Sequence, residues 1–242
     1  MTSRIALVTG ANKGIGLAIA RGLAGEGMTV LVGARDKDRG EAAVAGLREG
    51  GATPEFLRID VSDDVSVREA AEEIGTRFGR LDVLVNNAAI KLEFHPSPPS
   101  EASMEVVRQT YATNVFGTIA VTLAMLPLLR ASDGGRIVNL TSGLGSLTYA
   151  SDQDSVYAHR PLLGYSTAKT AVNAVTVQFA NELRGTAIKV NAADPGMTRT
   201  DMTKNSVDRT PEEAARLALR LATLPADGPT GQVFDDDGPV PW

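Results

Sequence analysis

A tyrosine and a lysine are spaced so that they could act together in acid–base chemistry. Tyr165 and Lys169 stand four positions apart in a stretch with helical periodicity, and residues at i and i+4 share one helix face. A free tyrosine, with a pKa of about 10, is a weak acid–base group at neutral pH. A nearby ammonium would favour the phenolate and lower that pKa, so the pair could exchange a proton with a substrate oxygen.

A serine upstream supports this interpretation, because a lone Tyr-x-x-x-Lys pattern is common by chance. Ser142 follows an apolar run that reads as a strand, and the carboxyl ends of parallel strands are where such sheets bind ligands. Its hydroxyl could hold a carbonyl oxygen beside Tyr165. The three side chains together indicate exchange of hydride and proton at a carbonyl group.

A glycine-rich turn follows the first predicted strand and leads into a helix. Glycines permit a tight turn and let the backbone approach a pyrophosphate, and a helix N-terminus offers free N–H groups to phosphates. The pattern predicts dinucleotide binding, and the alternative is a turn without a ligand. The residues concerned are Gly10, Asn12, Lys13, Gly14, Ile15 and Gly16.

Two cations indicate which dinucleotide is bound. A dinucleotide fold reads the adenosine ribose at the end of the second strand, where this chain has Arg35, with Lys13 in the glycine turn near the same ribose. An arginine there would pair with a 2′-phosphate in two-pronged fashion, whereas an acidic residue would bind a free hydroxyl. The pair favours NADPH over NADH, unless both are solvated surface charges.

Strand-like runs that alternate with helical patterns must position these groups. The runs are short and nearly continuously apolar, as in strands buried on both faces of a parallel sheet. The pattern predicts a single doubly wound α/β domain over residues 1–242, with helices on both faces. The predicted strands are 5–8, 29–32, 56–59, 83–85, 136–140, 189–193 and 232–234, and the predicted helices are 15–25, 39–49, 65–78, 101–129, 165–183 and 211–222.

The composition limits the partners. The chain has a formal net charge of -5 and lacks cysteine, so neither nucleic acid nor an anionic membrane is an expected partner. Its two histidines show no spacing typical of metal ligands, so no metal is expected. The first apolar run is too short for a signal peptide or a membrane span, and a cytoplasmic location is expected.

The ordered motifs resemble those of the short-chain dehydrogenase/reductase family over essentially the whole chain. Within that family the sequence is most similar to NADPH-dependent carbonyl reductases of the monomeric and plant menthone-reductase types. The motifs are Thr9-Gly10-x-x-x-Gly14-x-Gly16, Asp60-Val61, Asn86-Asn87-Ala88, Asn114, Ser142, Tyr165-x-x-x-Lys169 and Pro195-Gly196-x-x-x-Thr200.

The resemblance implies a role for each catalytic residue. Tyr165 would be the acid–base residue, and Lys169 would assist it and bind the nicotinamide ribose. Ser142 would orient the carbonyl group. The Asn114 side chain would help to hold a water molecule that links Lys169 to solvent, and the alternative is a buried helix asparagine bonded to backbone.

The resemblance also implies the remaining cofactor contacts. Asp60 would contact the adenine amine, and Val61 would pack on the ring. Asn87 and Ala88 would line the adenosine ribose, while Pro195, Thr198 and Thr200 would hold the carboxamide. Ala89 stands where the family usually has glycine, so it would be strained if its φ were positive.

Residues 144–162 form an extra stretch before the tyrosine, which the similar reductases also carry. In those enzymes it covers a helix face used for tetramer formation, so a monomer is favoured here and a homo-oligomer stays possible. The pocket is expected to suit an uncharged, partly apolar carbonyl compound. Its candidate substrate contacts are Ser142, Leu144, Tyr149, Met197 and Met202.

Two other functions remain open. A 3-oxoacyl or hydroxysteroid reductase of the same family would share every motif. A regulator that senses NADPH without turnover would need neither Tyr165 nor Lys169, and this chain has both.

Overall fold

Seven strands form one parallel sheet in the computed structural model, which describes residues 3–49 and 53–242. The strand order is β3-β2-β1-β4-β5-β6-β7, and every neighbouring pair is parallel. The predicted doubly wound fold is therefore confirmed. The strands are β1 Ile5–Thr9, β2 Thr29–Ala34, β3 Pro54–Arg58, β4 Val83–Asn86, β5 Arg136–Leu140, β6 Lys189–Ala193 and β7 Val233–Phe234.

The described part of the chain contains eight α-helices between the strands. Asp63 accepts a hydrogen bond from the Val65 backbone at the start of the third helix, and Thr210 forms a capping box with Glu213 at the start of the last. The helices are α1 Gly14–Gly25, α2 Lys37–Arg48, α3 Asp64–Phe78, α4 Met104–Tyr111, α5 Gly117–Arg130, α6 Leu147–Ser151, α7 Leu163–Glu182 and α8 Pro211–Ala222.

The sheet buries a hydrophobic core on each face. Alternate strand residues point to opposite faces, so Ala6 and Val8 pack with α1, α2 and α8, whereas Ile5 and Leu7 pack with α3, α5 and α7. The central strands are fully buried, which explains their continuous apolar character.

The single helix predicted over 101–129 is wrong in detail. A 3-10 turn at Pro99–Glu101 precedes α4, and a π-helical turn at Ala112–Phe116 separates α4 from α5. The periodicity cannot show this turn, because a π-turn adds one residue without interrupting the helix. Single π-turns occur frequently at functional sites, and this one contains Asn114.

The combined helix Met104–Arg130 has the length and composition of a membrane span, with 27 residues and a mean hydropathy of 1.7 over its most apolar stretch. Half of that stretch is buried inside the protein, where α5 packs against the sheet and α3. A core helix of a folded domain passes the same test, and the packing here is that of a core helix.

Candidate active site

One cleft of about 770 Å³ lies across the carboxyl ends of the strands. It is centred where β1 pairs with β2 on one side and β4 on the other, the position at which doubly wound sheets bind ligands. The glycine turn lines one part of its wall, and Ser142, Tyr165 and Lys169 line another. The structure therefore brings the predicted cofactor turn and the predicted catalytic side chains into one cavity.

The glycine turn has the geometry that the sequence predicts. Gly10 and Gly14 have φ values of +64° and +55°, which side chains rarely adopt. The Asn87 amide donates to the carbonyl oxygens of Thr9 at 2.9 Å and Gly10 at 3.2 Å, which fixes the turn. Since the N-cap of α1 has no side-chain hydrogen bond, the first N–H groups of this helix are available to phosphates.

The cations predicted at the adenosine ribose both line the cleft. Arg35 is exposed at the end of β2. Lys13 forms an ion pair with Asp201, with its Nζ atom 2.5 Å from Oδ2. The carboxylate of Asp36 accepts from the Arg39 backbone and caps α2, so this acid is occupied next to Arg35. The donor set fits a 2′-phosphate, since a phosphate can replace Asp201 at the exposed Lys13.

The residues expected around the adenine and the carboxamide also line the cleft. Asp60 is held by hydrogen bonds from the Ser62 backbone and hydroxyl at 3.0 and 2.7 Å. Burial raises the pKa of Asp60, but the Ser62 hydrogen bonds and the charges of Arg35 and Arg58 outweigh it, so the net pKa is lowered. The other members of this group are Val61, Asn87, Ala88, Pro195, Thr198 and Thr200.

Ala89 is accommodated without backbone strain. Among the described residues, only Lys204 and Asn205 combine a side chain with a positive φ, so Ala89 does not adopt the left-handed conformation that would require glycine. Its methyl group lies in the cleft wall.

Tyr165 and Lys169 lie on one face of α7, as predicted. Both are buried, and the Lys169 Nζ is 5.7 Å from the centre of the tyrosine ring. The ammonium donates to the Leu140 carbonyl oxygen at 2.7 Å, which holds it at the end of β5. Burial lowers the pKa of Lys169 to about 8, although the charge of Asp194 acts in the opposite direction.

The pKa of Tyr165 in the protein without cofactor is raised above its ordinary value. Burial raises it, and the negative charge of Asp194 raises it further. The protein alone therefore keeps the hydroxyl protonated at neutral pH, and a protonated tyrosine is the form that can donate to a carbonyl oxygen.

Asp194 is a residue of this site that the sequence analysis missed. It is 6% exposed and lines the cleft. One oxygen accepts from the Gly143 backbone at 2.7 Å, and the other accepts from the Gly196 backbone at 2.9 Å. The carboxylate thus connects the turn after Ser142 to the Pro195–Gly196 turn. In the sequence, only the position of Asp194 directly before Pro195-Gly196 indicates that it belongs to the site.

The 3-10 turn that follows Ser142 packs directly against α7. Ser142 caps a 3-10 turn at Gly143–Gly145, its hydroxyl accepting from the Leu144 backbone at 3.3 Å. The Asn173 amide of α7 donates to the Gly145 carbonyl oxygen at 3.2 Å. Gly145 itself leaves no room for a side chain, because an added Cβ would lie 2.8 Å from the Lys169 carbonyl carbon.

Glu93 is a second residue that the sequence analysis missed. The N-cap of α7, Leu162, has no capping side chain. The two carboxylate oxygens of Glu93 accept instead from the backbone of Gly164 at 3.1 Å and Tyr165 at 2.7 Å. A carboxylate from the loop after β4 therefore caps the helix that carries the tyrosine. Nothing in the local sequence indicates this long-range contact.

Asn114 lies behind the wall of the cleft and not in it. The side chain is 1% exposed. Its Oδ1 accepts from the Ile90 backbone at 2.8 Å, and its Nδ2 donates to the Ile90 carbonyl oxygen at 2.9 Å. The π-turn thus fixes the loop after β4 through a buried amide, and the water-holding role stays a prediction.

The predicted substrate contacts divide into two groups. Leu144, Met197 and Met202 line the cleft with Ser142, but Tyr149 does not. Tyr149 stacks on Tyr157 with ring centroids 5.4 Å apart, so it supports the wall from behind. Of the insert over 144–162, the residues in the wall besides Leu144 are Val156, Tyr157, Arg160 and Leu162.

The family model for short chain dehydrogenases matches residues 4–211. Carbonyl reductase [NADPH] 1 of Mus musculus is 34% identical, and the match covers 98% of each chain. The short-chain dehydrogenase anuI of Penicillium roqueforti is 38% identical over 92% of this chain and 90% of that protein.

Solved structures give the same result. Salutaridine reductase from Papaver somniferum superposes with a TM-score of 0.83 at 30% identity, covering 96% of this chain and 99% of its own. A short chain dehydrogenase of Escherichia coli, solved as a complex with NADPH, has a TM-score of 0.85 at 28% identity, covering 97% of each chain. Motifs, fold and relatives agree, and the chain belongs to the short-chain dehydrogenase family.

Proposed function

We propose that this protein is an NADPH-dependent carbonyl reductase that converts ketones or aldehydes to alcohols, with Tyr165 as the proton donor. The observation that carries the proposal is the single cleft shared by the glycine turn, two candidate phosphate-binding cations and the Ser142, Tyr165 and Lys169 side chains. The names of relatives at about one-third identity, carbonyl reductase [NADPH] 1 among them, support the same reaction.

The cofactor would be held along the whole cleft. NADPH supplies the hydride when it is bound. The N-terminus of α1 would bind the pyrophosphate, and Lys13 and Arg35 would pair with the 2′-phosphate. Asp60 and Val61 would contact the adenine, Asn87 and Ala88 would line its ribose, and the segment of Pro195, Thr198 and Thr200 would hold the carboxamide.

The protein side of the reaction is a positioned proton transfer. The Ser142 hydroxyl would donate a hydrogen bond to the carbonyl oxygen, which draws electron density from the carbonyl carbon. As hydride adds to that carbon, the C=O π electrons move to oxygen, and the Tyr165 hydroxyl donates its proton there. Lys169 would then favour the phenolate that results and bind the nicotinamide ribose, while Asn114 would support proton return through water.

Residues 1–242 would form one catalytic domain. The insert over 144–162, together with Met197 and Met202, would shape its substrate pocket. Tyr149 would act through the stacked Tyr157 and not by direct contact.

The assay follows NADPH absorbance with a panel of ketones, aldehydes and diketones. We expect turnover with NADPH, much less with NADH, and a loss of kcat of about 100-fold or more in Tyr165→Phe. NADPH binding, followed by fluorescence, should survive in that variant, which shows that it is folded. Tight NADPH binding without turnover of any carbonyl compound would refute the proposal and favour a sensor.

The monomeric state and the cytoplasmic location are part of the same proposal, with a homo-oligomer as the alternative. Phe116 in the π-turn and Leu123 in α5 are 61% and 56% exposed. The insert therefore leaves these apolar side chains uncovered, which supports the homo-oligomer alternative. Sedimentation at micromolar concentration distinguishes a 25.4 kDa species from a multiple of it.

A further inference from the structure

Three segments of the chain enclose the cleft, and each contributes at least one cation. Lys91 lies in the loop after β4, and Arg160 lies in the insert, both in the cleft wall. Lys204 follows the 3-10 turn at Asp201–Thr203 and lies between Thr203 and Asn205, which are both wall residues. We call Lys91, Arg160 and Lys204 the basic cluster.

Within the described residues, the basic cluster has no carboxylate partner at ion-pair distance. The Arg160 Nη1 atom lies 2.9 Å from the Met197 sulfur, and the Lys204 Nζ lies 5.2 Å from the centre of the Phe94 ring. A thioether is a weak acceptor, and a ring face is a modest partner for an exposed ammonium. These contacts hold two of the cations in place without neutralising them.

Two acids close to the basic cluster along the chain are already occupied. Glu93 uses both carboxylate oxygens to cap α7, and Asp201 is paired with Lys13. Burial lowers the pKa of Lys91, and the positive charges of Arg160 and Lys204 lower it further. The two neighbouring cations thus act on Lys91 in a chain whose net charge is -5.

The same wall also contains apolar residues. Val156, Leu162 and Met202 line it, and they can cover the hydrocarbon part of a substrate. The cations predicted for the cofactor, Lys13 and Arg35, belong to the first two strand–helix turns and not to these three segments. The basic cluster is thus a separate feature of the substrate side.

We propose that the basic cluster binds an acidic group on the substrate, so that this protein reduces carbonyl compounds that carry a carboxylate together with an apolar body. The inference rests on the proposed carbonyl reductase function and makes its substrate class specific. It replaces the uncharged substrate expected from the sequence, which showed the apolar residues of the wall but not the convergence of three cations on it.

The test compares matched pairs of substrates that differ only in charge. Aryl keto acids with one to three carbons between carbonyl and carboxyl carbons, such as 3-benzoylpropanoate, are measured beside their methyl esters with NADPH. We expect kcat/KM for the best acid to exceed that of its ester by about 10-fold, mostly through KM, which corresponds to about 1.4 kcal/mol. Raising the salt concentration should reduce the advantage of the acid and leave the ester little changed.

Two sets of variants locate the effect. The double variant Lys91→Met/Arg160→Met should bring the acid-to-ester ratio close to one, because it removes two positive charges and keeps side chains of similar length. Arg68→Met is the matched control, since Arg68 is an exposed arginine of α3 outside the cleft wall. It changes the net charge of the protein and should leave the ratio as in the unmodified enzyme.

The possible failures are distinguishable. If the esters are reduced as well as the acids, with the same salt dependence, the basic cluster does not read substrate charge and this inference is wrong while the reductase function stands. An equal fall of the ratio in Arg68→Met would likewise overturn it, because only overall charge would then matter. If neither acids, esters nor simple aldehydes are reduced, the proposed function itself fails.

Discussion

Gly145→Ala is the substitution that best tests how the site is assembled. Gly145 lies in the 3-10 turn after Ser142, and its added Cβ would lie 2.8 Å from the Lys169 carbonyl carbon and 3.0 Å from the Lys169 Cβ. Ordinary carbon contacts are about 3.5–4 Å. The turn must therefore retreat from α7 by about 0.5–1 Å, and Ser142 moves with it relative to Tyr165.

Two magnitudes follow from that displacement. Misplacing a catalytic group by about 1 Å can reduce the rate by about 100-fold, so we expect kcat to fall by about 10- to 100-fold. Overpacking a buried contact costs about 1–3 kcal/mol in the free energy of unfolding, and each kcal/mol lowers the Tm of a chain of this size by about 2–4 °C. The KM for NADPH should change little, because the glycine turn is on another segment.

Steady-state kinetics and thermal unfolding are measured together, with Gly46→Ala as the control. Gly46 lies in α2, where an added Cβ meets nothing within 4 Å, so alanine should stabilise the protein by about 0.5–1 kcal/mol and leave kcat unchanged. If Gly145→Ala keeps both the original Tm and kcat within about 2-fold, the turn after Ser142 does not pack tightly against α7. That result would refute the reasoning.

Five further variants at four positions test individual residues. Asp194→Asn removes a negative charge that raises the pKa of Tyr165, so the tyrosine should lose its proton at lower pH. The alkaline limb of kcat for reduction should then move to lower pH in profiles extended from about pH 7 to about pH 11; an unchanged profile would contradict an electrostatic role. Lys13→Ala and Arg35→Ala should each raise the KM for NADPH by about 10-fold or more and leave that for NADH nearly unchanged, and equal losses with both cofactors would place these cations elsewhere. Glu93→Ala should lower the free energy of unfolding by about 0.5–2 kcal/mol and lower kcat, with Glu93→Gln intermediate because it keeps one acceptor; a variant as active and stable as the parent would show that α7 needs no cap.

The parts of the site that the sequence predicts are those whose chemistry is local. The glycine turn follows from Gly10 and Gly14 alone, since their positive φ values are what those glycines permit. The shared face of Tyr165 and Lys169 follows from helical spacing. The strand ends follow from short apolar runs, and they bring the motifs together because parallel strands end at one edge of the sheet.

The parts that the sequence does not predict depend on contacts between distant segments. Glu93 caps a helix that begins about 70 residues later, and no local pattern signals such a contact. Asp194 precedes a motif but shows its role only through hydrogen bonds to two separate turns. The spacing of Tyr165 to a lysine also does not show the burial that raises the tyrosine pKa in the protein alone.

The two anchors of the loop after β4 have a consequence for redesign. Asn114 holds the backbone of Ile90, and Glu93 is bound to the start of α7, so this loop is anchored at Ile90 and Glu93. Beyond them, Phe94 and His95 are exposed and cap no helix. A library of substitutions restricted to 94–99 can therefore change the contact of Phe94 with Lys204 while the tyrosine keeps its place, whereas a library that includes position 93 will accumulate inactive members. Turnover thus depends on position 93, whereas positions 94–99 of the same short segment can be varied for substrate selectivity.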